Sequence, residues 1–114
     1  MSDCVFCRIV RREAKATVVF EDDEVLAFRD LSPQAPVHLL VIPKKHVASL
    51  AEAEASDAAL LGKLLLVARD LAVREGIDAR GYRVVANRGA GAGQTIFHLH
   101  FHVLGGRGMS WPPG

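Results

Sequence analysis

An alternating segment near the C-terminus, residues 96–104, constrains the fold most strongly because its pattern has the period of a β-strand. Histidines fill every second position and apolar residues fill the positions between them: His98, His100 and His102 alternate with Phe97, Leu99, Phe101 and Val103. Successive side chains of a strand point to opposite faces, and each residue rises about 3.3 Å. The pattern therefore predicts three imidazoles on one face at intervals of about 6.6 Å, with the apolar side chains facing the core.

This histidine face can support two chemistries, because imidazole titrates near neutral pH and also binds metals. In one, a neutral imidazole attacks an electrophile such as phosphorus. In the other, three imidazoles bind Zn²⁺ and leave a position open for an activated water. The second is disfavoured, since ligands at i, i+2 and i+4 of a flat strand lie about 13 Å apart end to end, whereas Zn–N bonds measure about 2.1 Å. A solvated polar stripe on an edge strand is the alternative without chemistry.

The segment before the predicted strand is rich in glycine and favours the phosphorus chemistry. Gly89, Gly91 and Gly93 occupy alternating positions, and such spacing lets backbone N–H groups converge on an anion. A strand rather than a helix follows, so the segment does not match the dinucleotide-binding fingerprint. A plain flexible loop is the alternative to a phosphate site. Hydrogen-bonding side chains stand at the ends of this segment: Asn87, Gln94 and Thr95.

Length and charge limit the partners that this chain can have. With 114 residues, 50% of them hydrophobic, residues 1–114 should form a single domain. A formal net charge of +1 gives no long-range field for nucleic acid or anionic lipid. The apolar stretches are shorter than the ~20 residues of a membrane span, and the N-terminal residues lack the apolar core of a secretory signal. We therefore expect a cytoplasmic protein without a nucleic-acid or membrane partner.

The rest of the pattern predicts an α+β fold with about five strands, one short helix and one long helix. The short helix, 5–10, would be capped by Asp3, and the long helix, 57–75, by Ser56. Short connections favour an antiparallel sheet with the helices on one side. The strand formed by residues 37–42 should be central, because it is apolar on both faces except for His38. The predicted strands are residues 17–20, 25–28, 37–42, 82–87 and 96–104.

Two cysteines near the N-terminus, Cys4 and Cys7, stand three residues apart. A disulfide between them would close too small a loop to stabilise the fold. Three interpretations remain open from the residues alone: half of a metal site, a redox pair, or two packed thiols.

The histidine segment, together with several others, resembles the histidine triad (HIT) superfamily of nucleotide hydrolases and transferases. Residues 98–104 match its His-x-His-x-His-x-x signature. Segments that resemble its Hint branch, the purine nucleoside phosphoramidases, are 28–36, 38–46, 105–107 and 111–114. The resemblance implies an α+β homodimer that binds purine nucleoside monophosphates and hydrolyses the P–N bond of adenosine 5′-phosphoramidates, and related adenylates, to AMP. A dinucleoside polyphosphate hydrolase and a nucleotide-binding regulatory protein are the alternatives.

The resemblance also implies roles for individual residues. His100 matches the nucleophile that forms a covalent nucleotidyl-histidine intermediate, and His102 matches a residue that contacts the α-phosphate. Asp30 would hold the ribose hydroxyls, and Leu31 would form part of the base slot. A nucleophilic imidazole needs one nitrogen fixed, so we predict that His100 Nδ1–H donates to a backbone carbonyl. The positions that match phosphate or leaving-group contacts are Asn87, Gly93, Gln94 and Thr95.

The remaining histidines and the cysteines also find counterparts in this resemblance. His38 matches a partner that orients the nucleophile, and a packed core histidine is its alternative. Thr95 stands where Hint proteins often carry serine, so a catalytic hydroxyl near the leaving group is kept with an added methyl. Bacterial relatives with cysteines at these positions imply a structural Zn²⁺, with no cofactor required for catalysis. Its four ligands would be Cys4, Cys7, His46 and His98.

Overall fold

Residues 4–114 fold into two α-helices and five strands in the predicted order α-β-β-β-α-β-β. The computed structural model describes residues 4–114, so the predicted cap Asp3 lies outside the described residues. Cys4 is the N-cap of the first helix, and its Sγ accepts from the Cys7 N–H at 3.3 Å. The helices are α1 (Val5–Val10) and α2 (Ala58–Arg74), and the strands are β1 (Val18–Glu21), β2 (Val25–Arg29), β3 (Val37–Pro43), β4 (Tyr82–Val85) and β5 (Phe101–Gly105).

All five strands form one antiparallel sheet in the order β1-β2-β3-β5-β4. The predicted hairpin is present as β1 and β2, and β3 lies at the centre between β2 and β5. Every β3 residue from His38 to Pro43 is buried. The central position of this apolar strand is therefore confirmed, as is the α+β fold.

The two helices cover opposite faces of the sheet, and the prediction that they share one side is wrong. Phe6 of α1 packs with Leu40 and Ile42 of β3. The α2 helix packs against the other face, where Leu39 and Val41 point. Because β3 is apolar on both faces, each face needs a cover. The α1 helix has only six residues, so it covers only part of its face of the sheet.

The last strand is shorter than predicted, because it begins at Phe101 rather than at residue 96. Backbone groups before it bond outside any strand ladder: the Leu99 N–H donates to the Val47 carbonyl at 2.6 Å. Phe97, predicted to lie in the core, is 55% exposed, whereas His98 is fully buried. The three histidines therefore do not lie on one regular strand, although their rings share one side: Phe6 stands edge-on to both His98 and His100, and the His100 and His102 ring centroids are 5.0 Å apart.

Two smaller boundaries also differ from the sequence predictions. The strand β4 ends at Val85, two residues before Asn87. The α2 helix is preceded by a 3₁₀ turn, in which Glu54 and Asp57 form a reciprocal capping box, so Ser56 is not the cap. No helix within residues 4–114 combines the length and the apolar character that crossing a membrane requires.

Candidate functional site

His100 is held by one ring nitrogen directly before β5. Its Nδ1 donates to the His98 carbonyl at 2.7 Å, which confirms the predicted backbone contact. A carbonyl oxygen only accepts, so the proton must lie on Nδ1 and the Nε2 lone pair of the neutral ring is free. The Phe6 ring stands edge-on to this imidazole, with centroids 5.2 Å apart and an interplanar angle of 88°. The ring is therefore fixed in both tautomer and orientation.

His102 and His38 form a hydrogen-bonded pair on the same face of the sheet as α1. His38 Nε2 lies 2.8 Å from His102 Nδ1. The Gln34 backbone N–H donates to His38 Nδ1 at 3.0 Å, so this nitrogen must be an acceptor and the His38 proton lies on Nε2. His38 therefore donates to His102 Nδ1, and the proton of His102 lies on Nε2. The structure thus pairs His38 with His102, whereas we had expected it to orient His100.

Burial keeps both members of this pair neutral. Desolvation, with smaller contributions from His100 and His38, lowers the pKa of His102 to about 4. Desolvation also lowers the pKa of His38, opposed by the nearby Asp30 carboxylate. At neutral pH His102 is consequently an uncharged donor through Nε2–H, which suits it to a hydrogen bond with an anionic oxygen.

Asp30 connects the histidine pair to a small cavity beside α1. Its Oδ1 accepts from the Ser32 N–H at 2.7 Å, and its Oδ2 lies 3.4 Å from His38 Nε2. The cavity has a volume of about 220 Å³. Residues from α1, β2, β3 and the segment before β5 line it, and most of them are apolar: Val5, Phe6, Ile9, Lys15, Ala16, Phe28, Arg29, Asp30, Leu31, Leu40 and Ile96. Asp30 and Leu31, expected at ribose and base, thus lie together here.

The glycine segment forms a closed turn that Gln94 holds in place. The N–H groups of Gly93 and Gln94 donate to carbonyls within the turn, those of Ala90 and Gly89. The Gln94 side chain, 5% exposed, accepts from the Gly89 N–H and donates to the carbonyls of Ala48 and Ile96. The expectation that these N–H groups converge freely on an anion is therefore wrong, because the turn uses them itself.

Asn87 and Thr95 stand at the two ends of this turn. Asn87 is half-buried and Thr95 is exposed. Neither side chain hydrogen-bonds to a histidine within residues 4–114, so their expected phosphate and leaving-group contacts stay predictions.

Two thiols and two imidazoles lie together at the start of α1. Cys4 Sγ lies 3.3 Å and Cys7 Sγ 3.5 Å from His98 Nδ1. His46 Nδ1 lies 3.3 Å from Cys7 Sγ and 3.2 Å from His98 Nδ1. We call these four residues the Cys₂His₂ cluster; their four potential ligand atoms lie within 4.8 Å of one another.

The Cys₂His₂ cluster fits a tetrahedral metal ion. Zn–S bonds of about 2.3 Å and Zn–N bonds of about 2.0–2.1 Å place S and N ligands about 3.5 Å apart and two N ligands about 3.3 Å apart, close to the separations found here. His98 Nε2 donates to the Pro43 carbonyl at 2.8 Å. The Nδ1 lone pair of His98 is therefore free for a metal, with its ring oriented from behind.

A second group of metal-ligand types, Asp30, His38 and His102, also lies within 4.8 Å. It does not suit a metal, because the proton on His38 Nε2 points into the group and His102 Nδ1 accepts it. Hydrogen bonding, rather than coordination, accounts for this arrangement.

Two contributors to the site, Phe6 and Gln34, could not be predicted from the sequence. Phe6 has the helical spacing of a core residue, and nothing in that spacing shows that its ring contacts His100. Gln34 acts through its backbone N–H, which leaves no trace in a pattern of side chains. The only indication of a fixed backbone at this point is the pair of prolines that flank Gln34 and Ala35 in the sequence.

Comparison with known proteins gives a consistent result across the chain. Residues 11–109 match the family model described as HIT domain. An uncharacterised HIT-like protein of Synechococcus elongatus is 56% identical over 112 residues, covering 98% of this chain and 97% of that protein. A HIT family hydrolase from Legionella pneumophila Philadelphia 1 has a TM-score of 0.96 at 53% identity, covering 98% of this chain and 100% of that one. A histidine triad nucleotide-binding protein from Candida albicans has a TM-score of 0.83 at 31% identity, covering 96% and 83%.

Proposed function

Because this chain belongs to the HIT domain family, we propose that it is a nucleotide hydrolase of the Hint branch. Its substrates are adenosine 5′-phosphoramidates and related adenylates, and its product is AMP. The observation that carries this proposal is His100, whose Nδ1–H is held by the His98 carbonyl at 2.7 Å. In the neutral ring Nε2 is thereby the nitrogen that keeps its lone pair, and it is the nucleophile.

The reaction proceeds in two steps. The Nε2 lone pair of His100 forms a bond to phosphorus while the P–N bond of the substrate breaks, and the leaving nitrogen takes up a proton from solvent and departs as the amine. Water then attacks the same phosphorus, the Nε2–P bond breaks, the attacking water gives up a proton to solvent, and AMP and free His100 result. Through the first step the His98 carbonyl stabilises the positive charge that develops on the ring.

His102 stabilises the charge that builds on the non-bridging oxygens. Its Nε2–H is a fixed donor, because His38 occupies its Nδ1 at 2.8 Å. A donor that is already oriented stabilises a transition state without reorganisation, and removing one such donor slows reactions by roughly 10²–10³-fold. Gln94 contributes by holding the glycine turn, in which the Gly93 N–H bonds to the Ala90 carbonyl, and the side chains of Asn87 and Thr95 complete the phosphate and leaving-group contacts.

The cavity beside α1 receives the nucleoside. Asp30 stands between the cavity and the histidine pair, where a carboxylate can accept from ribose hydroxyls. The apolar lining suits the faces of a purine, with Leu31 at its rim. The nucleotide-binding description of the Candida albicans relative supports a nucleotide for this site.

The nucleophile is tested by mixing the protein with an adenosine 5′-phosphoramidate and searching for a nucleotidyl adduct by mass spectrometry. We expect the adduct on His100 of the native chain, none in His100→Asn, and a loss of kcat/KM of at least about a thousandfold in that variant. His102→Asn is the matched control, because it should still form the adduct, more slowly. Equal turnover by His100→Asn and the native protein would overturn the proposal.

Comparing turnover of AMP-amine, AMP-lysine and dinucleoside polyphosphate substrates separates the Hint branch from the alternatives. Preference for the polyphosphate would identify the other hydrolase. Nucleotide affinity without turnover of any substrate would identify a regulatory protein.

We further propose that the Cys₂His₂ cluster holds a structural Zn²⁺. The support is its geometry: the four potential ligand atoms lie within 4.8 Å, and the Pro43 carbonyl fixes the His98 ring so that Nδ1 faces the thiols. Four protein ligands close the coordination sphere, so this metal supplies stability rather than an activated water.

We also propose that the protein is a homodimer. The β4 strand is an edge of the sheet, and α2 exposes Leu65, Leu66 and Val73 on its outer side. Leu66 and Val73 are seven residues apart and therefore belong to one helical stripe. A second copy presents the same stripe, and two such stripes can pack about a twofold axis.

A further inference from the structure

The Gly105-Gly106-Arg107 segment, which the proposed mechanism does not use, packs against the proline-rich loop before β3. Arg107 Nε donates to the Gln34 carbonyl at 2.9 Å. Gly106 has φ +90°, and a Cβ atom there would lie 2.9 Å from Pro36 Cβ. The segment and the loop therefore touch at two points, too closely at Gly106 for a side chain.

Gln34 is the residue at which this loop meets the histidines. Besides accepting from Arg107, it donates its backbone N–H to His38 Nδ1 at 3.0 Å. Its side-chain Nε2 donates to the Ser32 carbonyl at 2.9 Å. Bonds on three sides hold this residue in one position.

A backbone N–H cannot exchange its donor character for that of an acceptor. While it stays on His38 Nδ1, His38 must donate through Nε2 and His102 must carry its proton on Nε2. If Gln34 moves away, His38 can carry its proton on Nδ1 instead. Its Nε2 then accepts, the His102 proton moves to Nδ1, and a lone pair faces the substrate oxygen.

We propose that Arg107 is a positioning residue for His102: by holding the Gln34 carbonyl, it keeps His102 in the Nε2–H form that donates to phosphate. The effect on nucleotide binding rests on the proposed function, whereas the effect on the proton position does not. Asp30 Oδ2, 3.4 Å from His38 Nε2, favours the same proton position. Loss of Arg107 therefore shifts the population of tautomers and does not invert it completely.

The proton position is measured directly in the full-length protein with ¹⁵N-labelled histidine, because two-bond ¹H–¹⁵N spectra distinguish the two tautomers of each ring. In the native protein we expect His102 in the Nε2–H form. In Arg107→Met we expect an added Nδ1–H population and a Kd for AMP about tenfold higher, at the low end of the loss typical for an outer partner of a site histidine. Arg107→Lys retains a donor and should restore most of the native spectrum.

Arg83→Met is the matched control. Arg83 makes the same kind of contact, from its guanidinium to the Ser110 carbonyl at 2.8 Å, but does not bond to Gln34. This variant should keep the native tautomer of His102.

The proposal is overturned if a folded Arg107→Met protein keeps His102 wholly as Nε2–H, or if the native protein holds that proton on Nδ1. If Arg107→Met does not fold, Arg107→Leu decides in its place, since its side chain carries no donor for the Gln34 carbonyl. Failure of the native protein to bind AMP would contradict the proposed function alone, because the tautomer comparison remains decisive.

Discussion

At the scale of single residues, the position of one proton decides whether His102 presents a donor or a lone pair at Nε2, and so, in the proposed mechanism, whether it binds or repels phosphate. His38 supplies the donor that fixes this proton, at 2.8 Å. We expect His38→Gln to lose less activity than His38→Glu, because an amide nitrogen can donate as Nε2 does, whereas a carboxylate can only accept. The loss of kcat/KM in His38→Glu should reach about a hundredfold, as for removal of one oriented donor.

The pH profile provides the contrast between these two variants. In the native protein the pKa of His102 lies at about 4, so kcat/KM should show no ionisation of this ring at neutral pH. A carboxylate at position 38 favours the protonated ring and raises that pKa, which brings a new ionisation toward the neutral range. Identical pH profiles for His38→Gln and His38→Glu would show that the His38 proton does not control His102.

Residue-scale features differ in how far the sequence can predict them. The contact from His100 Nδ1 to a carbonyl could be predicted, since a neutral nucleophile needs its second nitrogen held. The pairing of His38 with His102 could not, because it depends on the register of two strands, in which His102 lies opposite Leu40. The hydrogen bond from the Gln34 N–H to His38 could not be predicted either, because a backbone donor leaves no pattern in the sequence.

At the scale of secondary-structure elements, α1 serves two sites with one short helix. Cys4 and Cys7 at its start belong to the Cys₂His₂ cluster, while Val5, Phe6 and Ile9 line the cavity proposed to receive the nucleoside. Removing a metal from the cluster should therefore loosen a wall of the cavity. We expect about one equivalent of zinc in untagged protein, and removal should lower Tm by about 5–10 °C and weaken AMP binding.

Cys7→Ser is the matched control for metal removal. It should hold little zinc, so a chelator should leave its Tm unchanged. Less than about a tenth of an equivalent of zinc in the native protein would refute the site.

The boundaries of an element could be predicted from the sequence only where a single cause, burial in the sheet, produces the pattern of apolar residues. The residues of β3 are buried on both faces by neighbouring elements, and this strand matches its prediction closely. Residues 96–100 alternate for different reasons: His98 belongs to the Cys₂His₂ cluster and Phe97 is exposed. The alternation of polar and apolar residues in this segment therefore has the period of a strand, although the segment does not form one.

At the scale of the whole molecule, the number of strands and their antiparallel pairing could be predicted, but the faces that the helices cover could not. Apolar side chains on both faces of β3 were visible in the sequence, and they require a cover on each side. Which helix covers which face depends on the connections. The result places α2 behind the sheet and leaves the histidines on the α1 face.

This arrangement leaves the outer side of α2 free for a second copy of the chain. We expect a mass in solution of twice the 12.3 kDa of one chain, measured by sedimentation equilibrium. Leu66, 51% exposed on α2, should lie in the interface. Leu66→Glu would bury a carboxylate there without a partner and should raise the dimer dissociation constant about a hundredfold.

Leu50→Glu gives the corresponding change outside the proposed interface, because Leu50 is 48% exposed but lies in a 3₁₀ turn before α2. It should leave the dimer intact. A native protein that sediments as a monomer would contradict the homodimer. A dimer insensitive to Leu66→Glu would place the interface away from this stripe, for example at the β4 edge of the sheet. Because the nucleophile, the donor and the cavity all lie within one chain, monomeric Leu66→Glu should still form the nucleotidyl adduct on His100.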